Sequence, residues 1–275
     1  EIKTCKDPLA ITHIRIILYQ YFNERVGDRL KQFKNLESFE CQHSNFFESE
    51  LTAILKLPKL ERLLVRGGYV SSLSYKLIAA KNLRVLDLSK NYITDIPLFF
   101  RDLKQLEELL LDGNKISDLD DVLLDLSKLR VLAVNGWKAK DIPDFLLKLI
   151  PQLSELSLPK ALSAKLIKKY PKLYEELPYL SMNTSLERKW AAKMRQYFYK
   201  NKTDWDTRAF YFNLLAADEL KIRQQASIEK CVSAINFPVV ETIRLKALEY
   251  LQGQVSNKTK PTLQKNASIL VLGKL

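Results

Sequence analysis

The 275-residue sequence is poor in the residues on which most enzyme chemistry is built: 2 His, 3 Cys, 2 Met and 7 Gly. The two histidines are not spaced as metal ligands, and the glycines form neither G-x-G-x-x-G nor G-x-x-x-x-G-K-[ST], so neither nucleotide-binding fingerprint is present. Cys5, Cys41 and Cys231 are too few and too scattered for a zinc site or a disulfide framework. The longest apolar runs, such as Ile269–Leu272, fall far short of the roughly 20 residues that span a bilayer. The first residues do not have the form of a signal peptide. These shortages lead us to expect no catalytic site, no cofactor, no metal and no membrane span. What remains is ample for folding: 47% hydrophobic and 28% charged residues support a sizeable core. The length suits one or two domains. Lys and Arg number 44 against 32 Asp and Glu, a net charge of +12, which raises the question of an acidic partner.

An internal repeat dominates the first two thirds. The pattern L-x-x-L-x-L, with other apolar residues allowed, occurs as Ile11/Ile14/Ile16, Leu36/Phe39/Cys41, Leu60/Leu63/Val65 and Leu83/Leu86/Leu88. It continues as Leu106/Leu109/Leu111, Leu129/Leu132/Val134 and Leu153/Leu156/Leu158, with a weaker copy at Leu177/Leu180/Met182. Successive copies start 23 to 25 residues apart. The period-2 part of each hexad suits a short strand with its apolar residues inward. The second half of each repeat, as in Ile96-Pro97-Leu98-Phe99-Phe100-Arg101-Asp102-Leu103, suits a helical turn or short helix behind that strand. One unit cannot bury its own apolar face, so neighbours must stack and both ends need caps.

Leu83-Arg84-Val85-Leu86-Asp87-Leu88-Ser89-Lys90-Asn91-Tyr92-Ile93-Thr94-Asp95-Ile96 reads as a complete repeat, and Asn114, Ile116 and Leu119 hold the same phases in the next. In this the chain resembles the leucine-rich repeat family over roughly residues 8–182. The resemblance implies an α/β solenoid, with parallel strands on the concave face and helices or helical turns on the convex face. It also implies a ladder of Asn side chains bonded to backbone where the chain leaves each strand. Ser44, Gly68, Trp137 and Ala161 stand at the Asn position, so a broken ladder is expected. Extracellular members carry cysteine-rich caps; their lack here favours an intracellular, cytoplasmic protein.

Beyond residue 182 the repeat stops. Thr184-Ser185-Leu186-Glu187 has the spacing of a capping box. It precedes a helix with Trp190, Met194, Tyr197 and Phe198 on one face, read as core and as a cap for the open end of the solenoid. Further helices are expected over Asp206–Gln224 and Ser227–Ile235 and after Pro238. The organisation is therefore 1–182 solenoid, 183–253 α-helical cap or domain, and 254–275 linker and terminal strand. Ala267-Ser268-Ile269-Leu270-Val271-Leu272-Gly273-Lys274-Leu275 weakly resembles the opening strand of a BRCT domain, and equally a strand leading to a phosphate-binding loop.

In such a solenoid the x positions of L-x-x-L-x-L face outward. Leu64, Val85, Leu110, Val131 and Ala133 are apolar on four consecutive strands. With Arg62, Arg84, Asp87 and Glu108 around them they form a candidate partner-binding surface, the alternative being ordinary strand propensity. Trp137 is either an anchor for the partner or a plug for the hole left by the missing Asn. Residues 181–275 carry 16 basic and 8 acidic side chains, against 28 and 24 upstream. Basic groups interleaved with Trp190, Tyr197, Phe198, Tyr199, Trp205 and Tyr211 make a nucleic-acid surface the second reading, behind a plain helical bundle. Cys41 is expected in the core. Cys231 has no nearby His to activate it, and Ser233 replaces the Asp of the Cys-x-Asp motif found in certain bacterial leucine-rich-repeat ubiquitin ligases. His13 is expected at the surface. The leading expectation is a non-catalytic protein-interaction scaffold or adaptor that binds a protein partner on its concave face. The alternative is a nucleic-acid-associated protein targeted by its basic C-terminal region.

Overall fold

A computed structural model describes residues 6–17, 29–42 and 48–257. They divide into two compact units, the first ending at Asn183 and the second beginning at Thr184.

The first unit is built on eight parallel strands in strict sequence order: β1 (His13–Ile17), β2 (Ser38–Gln42), β3 (Arg62–Arg66), β4 (Val85–Asp87), β5 (Glu108–Leu110), β6 (Val131–Ala133), β7 (Glu155–Ser157) and β8 (Tyr179–Ser181). Their register is the repeat itself. Leu63, Leu86, Leu109, Leu132, Leu156 and Leu180 are successive partners across the sheet. All are buried in one continuous apolar core. Each buried leucine contributes about 1.5–3 kcal/mol, and because the column is unbroken each repeat supplies the floor of the next.

The convex segments shorten to 3-10 turns at Tyr75–Ala79, Leu98–Asp102 and Asp121–Asp125. Full helices return at α1 (Glu48–Leu55), α2 (Asp144–Leu149), α3 (Lys160–Lys169) and α4 (Pro171–Glu176). Tight turns fit here because a 23-residue repeat leaves only about one turn of chain behind each strand, and the 3-10 form serves such short pieces.

Where the chain leaves each strand the backbone turns left-handed at the same phase: Gly67 (φ 63°), Lys90 (φ 58°), Gly113 (φ 76°) and Gly136 (φ 147°). The next residue is the ladder position. Asn91 Nδ2 donates to the carbonyls of Val65 and Leu88, and its Oδ1 accepts from Val70 N–H. Asn114 repeats the pattern with Leu88, Leu111 and Ile93 N–H. The ladder stops after these two rungs, as the residue types require. At the next position Trp137 N–H still bonds to Val134 O, but the indole is buried in the core beside Phe145. Gly68 is buried, Ala161 lies exposed in α3, and Ser44 lies outside the described residues.

The second unit comprises α5 (Ser185–Lys200), α6 (Trp205–Ala216), α7 (Glu219–Gln225), α8 (Ile228–Ile235) and α9 (Glu241–Asn257). The capping box is formed: Thr184 Oγ1 accepts from Glu187 N–H at 3.1 Å, and Glu187 Oε2 accepts from Thr184 N–H. The single helix expected over Asp206–Gln224 is two. Ala217 sits in the left-handed region (φ 57°) and Asp218 starts a new helix by accepting from Lys221 N–H at 3.1 Å. A side-chain cap of this kind competes with helix continuation. The last helix runs to Asn257, past the 253–254 boundary at which the sequence suggests a linker. The terminal Ala267–Leu275 segment, with its BRCT-like character, lies outside the described residues.

Candidate functional site: the outer face of the sheet

The parallel register assembles the outward positions into rows. One row runs Arg62, Val85, Glu108, Val131, Glu155, Tyr179; the next runs Glu40, Leu64, Asp87, Leu110, Ala133, Ser157, Ser181. Every partner-binding residue expected on the sheet falls in these rows except Arg84, which enters β4. The five apolar members are therefore brought together on neighbouring strands.

Their exposure is not as expected. Leu64, Val85, Leu110, Val131 and Ala133 are each 4% exposed or less, and Arg62, Asp87 and Glu108 are also buried. An open apolar patch is thus corrected to a buried one. Strands under 5 Å apart set each side chain against its equivalents on both sides, and even the short Ala133 has little surface left. Trp137 is 5% exposed, which decides between anchor and plug: it fills the space that the Asn rung vacates. Its Nε1–H has no hydrogen-bond partner, the mark of a ring recruited for its apolar area.

The exposed groups of this face lie at the strand entrances. Arg84 binds Glu107 through two hydrogen bonds of 2.9 Å each and approaches Glu61 at 3.7 Å. Arg130, one repeat further, is exposed and donates to Gln152 O. A second ionic ladder crosses the first four strands. Arg15 lies 3.4 Å from Glu40, and Arg66 bridges Glu40 at 3.0 Å and Asp87 at 2.5 Å. Asp87 Oδ1 also accepts from Ser89 N–H, so this nearly buried carboxylate is satisfied on both oxygens, the condition for keeping a charge out of water.

Towards the other end, polar side chains replace the missing Asn rungs. Asp112 Oδ1 accepts from Asn135 N–H at 2.7 Å, and Asn183 Oδ1 accepts from Asn135 Nδ2 at 2.9 Å. Asn183 Nδ2 donates to Leu158 O, doing there what Asn114 does for Leu88. Its position off the regular spacing hid this role in the sequence.

The other candidates sort simply. His13 is exposed, with Nδ1 2.7 Å from Thr12 Oγ1. Cys41 is buried. Burial pushes the Cys231 thiol up to about 11, which suppresses the thiolate that a nucleophile needs. Of the aromatic set proposed for nucleic acid, Phe198 and Tyr211 are buried. Tyr197 packs edge-on to Phe237 with ring centroids 4.8 Å apart, and Tyr211 hydrogen-bonds Ser233 at 2.6 Å. The core reading of this aromatic face is the one the packing follows. Trp190 carries Lys189 and Lys193 above its ring at 5.0 Å each. Among the described residues no group of His, Cys, Asp and Glu is placed to hold a metal ion. Nor is any described helix long and apolar enough to cross a membrane.

Fold and surface together define a class: an open parallel-sheet solenoid whose repeat supplies rows of side chains along one face of the sheet. Residues 81–123 match the family model described as leucine-rich repeats (2 copies), and they lie within the solenoid of parallel strands. Similar solved structures include a leucine-rich-repeat protein of Leptospira interrogans, with 16% identity and a TM-score of 0.46. The match covers 66% of this chain and 56% of that one. An internalin of Listeria monocytogenes matches at 21% identity and a TM-score of 0.42, over 55% of this chain and 43% of that one. A plant peptide hormone receptor, solved in complex with RGF2, matches at 24% identity and a TM-score of 0.38, over 56% of this chain and 26% of its own. The chain thus matches little more than half the length of the first and less of the others. No curated protein matches the sequence.

Proposed function

We propose that the protein is a non-catalytic interaction scaffold that binds a protein partner along the outer face of its sheet, in a reducing compartment such as the cytoplasm. One observation carries this reading: the strand entrances present a pre-ordered row of charge, in which exposed Arg84 is held between half-buried Glu61 and Glu107, with exposed Arg130 beyond it. Side chains already held in ion pairs lose less entropy on docking, and complementary charge steers encounter and fixes register. The buried rows, including Leu64, Val85, Leu110, Val131 and Ala133, act as the rigid bed under that row and come into contact only where a partner reaches between the charged groups. The buried free thiol of Cys231 suits a reducing environment.

The test follows from the geometry. Arg84→Glu with Arg130→Glu reverses two exposed charges without opening the core. Partner capture, measured by quantitative pull-down against the unaltered chain, falls at least about tenfold while the far-ultraviolet CD spectrum is unchanged; such a loss is about 1.4 kcal/mol or more. Undiminished capture by a folded double variant refutes the surface.

A further inference from the structure

A second surface of the solenoid carries a signature of its own. The residue after each ladder position points to solvent on four successive repeats: Tyr69, Tyr92, Lys115 and Lys138. Backbone bonds between neighbouring turns hold the row in place, Tyr92 N–H to Val70 O, Lys115 N–H to Ile93 O and Lys138 N–H to Ile116 O. Tyr69 and Tyr92 are stacked, with centroids 5.9 Å apart and planes 20° apart. Lys115 Nζ lies 5.6 Å from the Tyr92 ring. Yet Tyr69 is 65% and Tyr92 47% exposed, an unusual investment of ordered aromatic surface on the outside of a repeat.

The row leads into the basic end of the unit. Residues 1–137 hold 20 basic and 19 acidic side chains, whereas residues 138–172 hold 8 lysines, no arginine and 3 acidic residues. Lys138, Lys140, Lys148, Lys160, Lys168 and Lys172 are exposed. Continuity is physical: Lys165 Nζ donates to Lys140 O, and Lys169 Nζ reaches Asp141 at 2.7 Å. Of the three acidic residues, Asp141 is neutralised by that pair; its hydrogen bond to Lys169 holds its carboxyl below the usual range. Glu155 is buried in β7, leaving Asp144 as the exposed acid without that compensation.

We infer that this flank, from the Tyr69–Tyr92 stack through Lys115, Lys138 and Lys140 to the lysines of α3, binds a single-stranded nucleic acid. Lysines track the phosphates and the tyrosines give a base a stacking platform. Aromatic rings followed by a line of ammonium groups are what a sequence-tolerant single-strand site requires. An anionic membrane would need charge but has no use for an ordered tyrosine pair, and an acidic peptide would not stack on it. The inference is independent of the protein-binding face, which uses other residues.

The experiment measures fluorescence anisotropy of a labelled oligothymidylate of about 16 nucleotides with the full chain, titrated with KCl. Binding is expected at low salt. Its log–log salt slope falls by about 0.7 for each phosphate contact removed. Lys115→Gln, Lys138→Gln, Lys140→Gln and Lys168→Gln together weaken binding at least about tenfold and flatten the slope by about 2 to 3. Tyr69→Ala with Tyr92→Ala weakens it without changing the slope. The control removes equal charge from the helical unit, through Lys189→Gln, Lys193→Gln, Lys200→Gln and Arg223→Gln, and leaves most affinity intact. No binding at low salt overturns the inference. So does equal loss in both charge sets, or tighter binding to phosphatidylserine vesicles or to polyglutamate than to the oligonucleotide.

Discussion

Gly136→Ala offers a sharp test of how the repeat is held together. Gly136 has φ 147°, and a Cβ built there would stand 2.4 Å from the Asn114 carbonyl oxygen. That oxygen is backbone, in a residue whose side chain already ties together Leu88, Leu111 and Ile93, so it has little freedom to retreat. An L-residue in such a conformation costs about 1–3 kcal/mol, and forced displacement of packed neighbours adds about 1–3 kcal/mol. The expected destabilisation is about 3 kcal/mol, a large part of the stability of a small unit. Gly113 is the matched control one repeat earlier. Its φ is 76°, but the nearest atom to an added Cβ is Lys90 Cγ at 3.3 Å, on a side chain that can swing away. Gly113→Ala should therefore cost only about 1 kcal/mol. Urea denaturation followed by far-ultraviolet CD gives both values, and hydrogen exchange places the loosened segment between the fifth and sixth strands. Equal losses for the two variants would refute the claim that close backbone approach, rather than turn conformation alone, selects glycine at 136.

Other expectations follow from the same geometry. Lys90→Gly relieves a left-handed non-glycine residue (φ 58°) and should raise the urea midpoint by the equivalent of up to about 1 kcal/mol. Asn114→Ala removes three hydrogen bonds and leaves the buried Ile93 N–H without its partner, while Leu88 O keeps Asn91 Nδ2 and Leu111 O keeps the residue-114 N–H; it should cost about 1–3 kcal/mol, read in the same titration. Leu110→Asp and Val131→Asp each bury a carboxylate at a site 4% exposed or less; the expected result is an unfolded or molten unit rather than a folded protein that has lost its partner, and normal near-ultraviolet CD would contradict the packing. Cys231, with its thiol at about 11 against an ordinary value near 8.5, keeps its proton in the folded chain after the unfolded chain has lost it. Stability should therefore fall as pH rises from about 9 towards 11, and Cys231→Ser should flatten that fall in pH-dependent denaturation.

Much of the fold is written in one dimension. The eight hexads name the eight strands because a solenoid repeats each contact with its nearest neighbour, so spacing in sequence becomes register in space without long-range choices. The Thr184–Glu187 cap, the two Asn rungs and the gaps in the ladder were legible for the same reason: each is decided by residues within a turn or a single repeat. The row Tyr69, Tyr92, Lys115, Lys138 carried a readable signal as well, a constant offset of one from the ladder position. Asn183 did not, because it stands six residues past the start of its hexad where Asn91 and Asn114 stand eight past theirs, and its other partner, Asn135, lies 48 residues away.

The sequence by itself determined the inward half of every repeat: which leucines are core, how strands follow one another, and where turns need glycine or asparagine. Those are local consequences of side-chain alternation and backbone sterics. Only the tertiary structure decided the outward half. It buried the apolar row that alternation places outside, put Trp137 into a vacated rung, and split the Asp206–Gln224 helix at Ala217. It also sorted exposed charge into the strand-entrance row and the lysine-rich flank. The physical reason is that alternation specifies which way a side chain leaves the strand, whereas exposure depends on everything that side chain then meets.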